Sequence, residues 1–312
     1  MNSLVQSLLT QPLLLGLIWS IFALGVFVSF RILNIADMSV EGLFPFSAVL
    51  SLWAINAGWN PVLALLLSIG VGFLSGVLMG VLNRYLKIDA LLAGIVLMTA
   101  FFSLTVVVSN GNVSLPDGSQ TLFSDIENVF KSITTKAWGA FCGDLVVLLL
   151  AVFLLYGLVY WFFGTELGTA IRAVGRNHRF ARAEGLNVDL LTALGLAISS
   201  VLIAIAGALY GMWQTSATIA LGKGTLVIGL ATIFLGEIAL SKTSFKSHLV
   251  SLVIGGWLYW LILSAITLIP GYNANYRYLI QAIFITIVMV IPSFRKNIQS
   301  YLSRHQENAI HA

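Results

Sequence analysis

The sequence predicts an all-α integral membrane protein, and three observations carry that prediction. Apolar residues make up 59% of the chain and charged residues only 9%, against roughly a quarter charged in soluble domains. The apolar residues form continuous runs rather than alternating with polar ones, which excludes the strands of a membrane barrel. Lipid offers no hydrogen bonds to backbone N–H and C=O groups, so an unbroken apolar run that crosses it must be a helix.

The runs are taken in chain order. A helix crosses the hydrocarbon in about 20 residues. The candidates are Leu13–Phe30, Leu43–Ala57, Val62–Leu82, Ala90–Val108, Leu145–Phe163, Leu190–Trp213, Thr225–Leu240, Leu249–Leu268 and Leu279–Ile291. They predict about nine spans, within a range of roughly eight to ten, in one transmembrane domain covering residues 1–312. The first run reads as an uncleaved span. Residues 1–11 carry no Lys or Arg and no cleavage-site pattern follows, whereas a secretory leader needs a basic start. Leu43–Ala57, Thr225–Leu240 and Leu279–Ile291 are short. Short runs fit broken or re-entrant helices lining a substrate path, and they fit equally a plain short span in a thinned bilayer.

Charge gives direction. With residues 164–189 on the cytoplasmic side and the spans alternating, the inside holds Arg31, Arg84, Lys87, Arg172, Arg176, Arg179, Arg182, Lys242, Lys246, Arg295, Lys296 and Arg304. The outside holds only Lys131, Lys136, Lys223 and Arg277. This is the bias expected of short cytoplasmic loops, and it places the tail 295–312 inside. It also accounts for the net charge of +4 without nucleic acid. The longest hydrophilic stretch, 109–143, falls outside. It opens on turn-rich Asn110-Gly111-Asn112 and Pro116-Asp117-Gly118. Phe123, Ile126, Val129, Phe130 and Ile133 then follow at helical spacing, predicting an amphipathic helix on the outer face. That helix could cap the bundle or dock an external protein.

Gly76–Gly80 (GVLMG) resembles Gly207–Gly211 (GALYG). Each closes a span and precedes a break. The spans that follow also have similar cores, beginning at Gly94 and Gly229. The orientation count runs the two units in opposite directions, which predicts an inverted internal repeat with a substrate site between its halves. Glycines four apart also permit close helix contact.

Several chemistries are excluded or left without support. The one cysteine, Cys142, rules out an intrachain disulfide and a multi-cysteine metal site. The histidines at 178, 248, 305 and 311 are scattered, and no nucleophile–base cluster stands out, so neither catalysis nor a metal site is expected. No phosphate-cradling G-x-x-x-x-G-K-[ST] run occurs. Trp53, Trp59, Trp138, Trp161, Trp213, Trp257 and Trp260 lie mostly near span ends and read as an interfacial belt. Asp37 and Glu41 lie four apart between two apolar runs. Membrane carboxylates are costly, so they either cap the next helix or face the path. Glu237, near an inner span end, is expected to pair with an Arg or Lys or to contact substrate.

The most informative stretch is 164–189, GTELGTAIRAVGRNHRFARAEGLNVD. It predicts two short helices, Gly168–Val174 and His178–Glu184, around a turn at Gly175-Arg176-Asn177. Such helices can insert into a partner's groove, or the loop can pack on its own bundle. The order of residues resembles the coupling loop of permease subunits of ATP-binding-cassette importers, in the branched-chain amino acid and ribose permease superfamily. That family's run is typically G-R/T-A-x-R-A-V-G-x-N-P-x-x-A-x-x-x-G-I/L-N-V. Gly168, Ala170, Arg172, Ala173, Val174, Gly175, Asn177, Ala181, Gly185, Asn187 and Val188 fit it, while His178 stands at the frequent proline.

The resemblance covers roughly residues 12–292. Asn34, Asp37, Ser39, Glu41 and Gly42 occupy the family's R-x-L-N-x-x-D-L-T-x-x-G pattern, and Gly222–Glu237 resembles its G-x-G-x-x-x-I-G-L-A-x-x-x-x-G-E run. The nearest group is the tryptophan/tyrosine-type uptake permeases. The resemblance implies coupling to an ATPase through Gly168, Arg172, Ala173, Val174, Gly175, Arg176, Asn177, Arg179 and Gly185. It implies a substrate path near Asn34, Asp37, Ser39, Glu41, Gly94, Gly229 and Glu237. The implied assembly holds ATP-binding-cassette ATPase subunits that carry ATP and Mg, with no cofactor on this chain. An extracytoplasmic substrate-binding protein and a second permease chain, making a homodimer, complete it in the bacterial cytoplasmic (inner) membrane. The alternatives are an ion-coupled secondary transporter and an importer of a sugar or nucleoside.

Overall fold

The computed structural model describes residues 10–116, 118–124, 126, 136–240, 244–267, 279–288 and 290. In chain order the elements are α1 (Gln11–Val26), α2 (Val40–Asn56), α3 (Pro61–Gly80), α4 (Ala90–Ser109), β1 (Asn112–Ser114), α5 (Lys136–Gly164), α6 (Glu166–Arg176), α7 (His178–Ala183), α8 (Val188–Gln214), β2 (Ser216–Thr218), α9 (Thr225–Ala239) and α10 (Phe245–Thr267). A last helix, α11 (Leu279–Val288), follows. Among the described residues, six helices are long and apolar enough to cross a membrane: α1 with its extension, α3, α4, the Gly139–Gly164 part of α5, α8 and α10. The expected count of about nine divides accordingly into six such spans and the short apolar helices α2, α9 and α11. The expected amphipathic helix lies largely outside the described residues, and the tail 295–312 lies wholly outside them.

Local signals set the boundaries. Asn60 Oδ1 accepts from the Val62 N–H at 2.9 Å, and Pro61 follows at the first helical position, where its missing N–H costs nothing. Asp89 caps α4 through the Leu91 N–H at 2.9 Å. Asn187 caps α8 through the Leu190 N–H at 3.1 Å. Asn110 and Thr215 close α4 and α8 in the left-handed region.

Glycines set the packing. A Cβ on Gly76 would lie 2.3 Å from Ala197 Cα, and one on Gly80 2.7 Å from Ala193 Cα. Helices α3 and α8 therefore touch backbone to backbone and run antiparallel. Gly207 and Gly211 abut Phe44 and Ala48, so α8 and α2 run parallel. The two glycine pairs thus lie on oppositely directed helices, each set against a different neighbour. Trp260, expected in the interfacial belt, is instead buried against Trp19 with ring centroids 5.9 Å apart. Trp53, Trp59 and Trp161 are exposed.

One pairing had no signal in the sequence. Strands β1 and β2 pair antiparallel, with Val113 opposite Ala217. The pair closes one end of the bundle, where Asn56 Nδ2 reaches the Ser114 carbonyl. From there the chain turns back along α2. Gly222 passes so close to the Glu41 carbonyl that a Cβ would lie 2.1 Å from it. Pro45 lies inside α2 and has no N–H to offer that carbonyl, four residues back, so the chain can approach it there. Helix α9 begins beside α2, part-way along the bundle.

Helices α1 and α3 end alike. Each runs into a π-helical stretch, Phe27–Ile32 and Val81–Tyr85. In the first, the Leu33 N–H bonds Val28 C=O at 3.1 Å and the Ile35 N–H bonds Ser29 C=O at 2.9 Å. In the second, Leu86 bonds Val81 and Ile88 bonds Leu82, both at 3.0 Å. Asn34 (φ 55°) and Lys87 (φ 58°) hold equivalent left-handed positions. Asp37 and Asp89 then each accept the N–H two residues on, at 2.8 and 2.9 Å. The sequences Arg31-Ile-Leu-Asn-Ile-Ala-Asp37 and Arg84-Tyr-Leu-Lys-Ile-Asp89 thus make one turn twice.

Candidate functional site

The loop between α5 and α8 is a pair of short helices at the end of the bundle that carries both π-helical turns. Thr165 caps α6 by accepting the Gly168 N–H at 3.3 Å. Asn177 ends α6 and caps α7, its Oδ1 accepting from Arg179 and Phe180 at 3.0 and 3.1 Å. The observed helices, Glu166–Arg176 and His178–Ala183, agree with the expected pair to within two residues.

The structure sorts the loop residues into two faces. Gly168, Val174 and Gly175 face the bundle with Ile171. A Cβ on Gly168 would lie 2.2 Å from the Phe162 carbonyl, and one on Gly175 1.8 Å from the Ile32 carbonyl. No side chain fits at either place. Arg172, Arg176, Asn177, Arg179 and Gly185 are exposed and Ala173 is half-exposed. Phe180 is 59% exposed and Leu167 55%, so the outer face presents cations around two apolar side chains. Arg172 lies 5.6 Å over the Phe245 ring, which ties α6 to the start of α10.

Beside α7 lies an open basic cleft of about 460 Å³ lined by Arg84, His178, Arg179, Arg182 and Ala183. Arg84 Nη2 is 3.3 Å from His178 Nε2. Burial holds the His178 pKa below the ordinary histidine range. The Arg84 and Arg182 charges push the same way and Asp189 opposes them. A neutral ring can accept from the guanidinium.

The second group of residues surrounds the first π-helical turn and α9. Asn34 Nδ2 donates to the Gly175 carbonyl at 2.9 Å, so the turn is bonded directly to α6. Asp37, 1% exposed, sets the start of α2 through the Ser39 N–H. Asp37 Oδ2 and Ser39 Oγ are buried without hydrogen-bond partners among the described residues. Gly94 lets α4 approach the Met38 N at 2.6 Å from a Cβ position. The Glu41 carboxylate faces the backbone N–H groups of Leu226 and Gly224, at the start of α9, where a negative charge is stabilising. Gly229 sits against Phe22 and Val26.

At the far end of α9, Glu237 makes a bidentate pair with Arg31, whose Nε–Oε1 distance is 2.9 Å. The Glu237 side chain is 6% exposed and that of Arg31 38%. Of the two readings of Glu237, the structure shows the ion pair. The residues named from the sequence therefore gather on two elements, the 31–41 turn and α9, with Gly94 against the turn. Sequence reasoning counted Arg31 only as a cytoplasmic charge. Its signal was the repeat of Arg-x-Leu-x-Ile at Arg31 and Arg84.

The family model described as "Branched-chain amino acid transport system / permease component" matches residues 8–289. The chain is 33% identical over 258 residues to a tyrosine transport system permease protein of Clostridioides difficile (strain R20291), covering 82% of this chain and 80% of that one. It is 22% identical over 263 residues to the ribose import permease of Escherichia coli (strain K12), with 82% and 76% covered. Among solved structures, a metal-chelate type ABC transporter in an inward-facing conformation matches at a TM-score of 0.53 and 19% identity, covering 92% of this chain and 88% of that one. That likeness concerns the fold alone. The chain belongs to the branched-chain amino acid transport permease family, a family of transport components rather than enzymes.

Proposed function

From that membership as premise, we propose that the chain is the membrane-spanning subunit of an ATP-driven importer for an amino acid, aromatic in the first instance. The observation that carries the reading is the 33% identity to a tyrosine permease over 82% of the chain. The exposed cationic face of α6 and α7 supports an ATPase docking there, with Gly168, Val174 and Gly175 seating the loop on the bundle and Arg172, Arg176, Asn177 and Arg179 meeting the partner. ATP and Mg bind on that partner in this reading. A second copy of the chain completes the pair in the bacterial inner membrane, and an external binding protein delivers substrate.

Closure of the ATPases moves the coupling helices and shifts the bundle between outward and inward access. A nucleotide does this only through its differential affinity for the two states. Substrate passes along the break between α1 and α2 and the start of α9, where irregular backbone is tolerated because it is enclosed by protein.

A sugar importer is the second reading, favoured by the match to the ribose import permease over 263 residues. Reconstitution of the chain with its ATPase and binding protein separates the two. Tyrosine and tryptophan should stimulate ATP hydrolysis, and ribose should not. Stimulation by ribose alone would replace the amino acid reading. Uptake that collapses with an uncoupler while ATP stays high would replace the ATP-driven one with ion coupling.

A further inference from the structure

We infer that the Arg31–Glu237 ion pair is the contact that transmits movement of α6 to the short apolar helix α9, with Arg31 and Asn34 as positioning residues of the transport cycle. The inference rests on the ATPase-docking reading of α6.

One connection to α6 and two to α9 carry it. Helix α6 is fixed to the first π-helical turn at its C-terminal end. Gly175 lies against the Ile32 carbonyl with no room for a Cβ, and Asn34 Nδ2 holds the Gly175 carbonyl at 2.9 Å. The turn and the start of α2 then meet both ends of α9, Gly222 packing against the Glu41 carbonyl just before its N-terminus. Arg31 grips Glu237 bidentately near its C-terminus, and Glu41 faces the N–H groups of Gly224 and Leu226 at its N-terminus. Between them Gly229 rests on Phe22 and Val26. Segment 31–41 therefore spans α9 from one end to the other and reaches α6 through Asn34. The pairs Gly229 with Phe22 and Glu237 with Arg31 put α1 and α9 side by side in the same direction. Displacing the turn displaces α9 along its length.

The two attachments differ in kind. Cations in the last turn of a helix and anions in the first stabilise through the helix dipole without a fixed geometry. A bidentate Arg–carboxylate pair fixes orientation as well. The Glu237 side chain is nearly buried and that of Arg31 is 38% exposed, so the pair is shielded from solvent on the α9 side. The second π-helical turn has the same backbone and an equivalent arginine, yet Arg84 meets His178 rather than a buried carboxylate. The Glu237 contact is thus specific to the turn that touches α6.

The test follows two distances in the assembled complex. Spin labels at Val62 and Ala239, both exposed, report α9. Labels at Val62 and Thr169 report α6. Cys142 is replaced by Ser in all variants. Trapping the ATPase with ATP and vanadate should shift both distances in the parent. In Arg31→Glu the α6 shift should persist while the α9 shift falls at least threefold, and Arg31→Glu with Glu237→Arg should restore it. Arg31→Gln provides the same comparison if the charge reversal prevents assembly. An α9 shift that survives Arg31→Gln, or a loss that the swap does not repair, overturns the inference. A parent in which the ATPase fails to dock removes the ATPase reading, and the transmission role falls with it. A parent in which α6 moves and α9 does not overturns the transmission role alone.

Discussion

The turns at Arg31–Asp37 and Arg84–Asp89 share a backbone and both pack on α8, yet differ in what else touches them. Each has the π-helical approach, the left-handed fourth residue and the aspartate that opens the next helix. The first is enclosed: Leu33 is fully buried, Gly175 abuts the Ile32 carbonyl and Asn34 bonds α6. The second is more open: Tyr85 is 59% exposed, Leu86 is 62% exposed, and among the described residues Asn83 Nδ2 bonds only the turn's own Ile88 carbonyl. The local sequence encodes the turn. What the turn does is encoded elsewhere in the chain, at Gly175 and Glu237.

The largest expected effect breaks this contrast on its enclosed side. In Gly175→Val the new Cβ would lie 1.8 Å from the Ile32 carbonyl and 2.9 Å from Leu33 Cα. Backbone cannot retreat as a side-chain tip can, and overpacking typically costs about 1–3 kcal/mol. Helix α6 should detach, seen as lost hydrogen-exchange protection over 166–176 and a lower unfolding temperature in detergent. Ala183→Val, on the exposed wall by the second turn, should change stability by less than about 0.5 kcal/mol. Equal effects of the two would refute the division into a docked and a free turn.

Legibility in the sequence followed the same line. Nine apolar runs were readable because continuous hydrophobicity is a local property, and each described one lands on a helix. The two helices of the loop were readable from their glycines and from Asn177. The strand pair was not, because three-residue strands 104 positions apart carry no periodicity. The division of the loop into an inner face (Gly168, Val174, Gly175) and an outer face (Arg172, Arg176, Arg179) was also hidden. Composition marks the loop as basic but does not say which backbone approaches it. The role of Arg31 depended on Glu237, 206 residues away. The repeat that singled Arg31 out was obscured by the one-residue difference between Asn-Ile-Ala-Asp and Lys-Ile-Asp.

A medium effect should reverse sign between the turns. Lys87 and Asn34 both sit at positive φ, which costs an L-residue roughly 1–2 kcal/mol relative to glycine's freedom there. Glycine gives part of that back through a more flexible unfolded chain. Lys87→Gly, which removes a side chain with no hydrogen bond or ion pair among the described residues, should leave the protein as stable or raise it by about 0.5 kcal/mol. Asn34→Gly relieves the same backbone but removes the bond to the Gly175 carbonyl and leaves that group unsatisfied, at about 1–3 kcal/mol. Thermal unfolding of the two variants in one detergent should therefore move in opposite directions. Stabilisation by Asn34→Gly would mean that the link to α6 is dispensable.

The smallest effect belongs to the open turn. His178 is held below the ordinary histidine pKa by burial first and by the Arg84 and Arg182 charges second. A group whose folded pKa is depressed binds its proton more readily when unfolded. Its contribution to loop stability is thus complete above the ordinary value, near 6.5, and is lost as pH falls from there. Arg84→Ala should move the His178 titration upward without restoring it fully, because burial is the larger cause. Labelled-histidine magnetic resonance measures this directly. A titration at the ordinary value in the parent would show that Arg84 and His178 do not meet. A titration unchanged by Arg84→Ala would show that the Arg84 charge does not act on His178. A full return to the ordinary value would reverse the order of the causes, making the turn's arginine the dominant influence on α7.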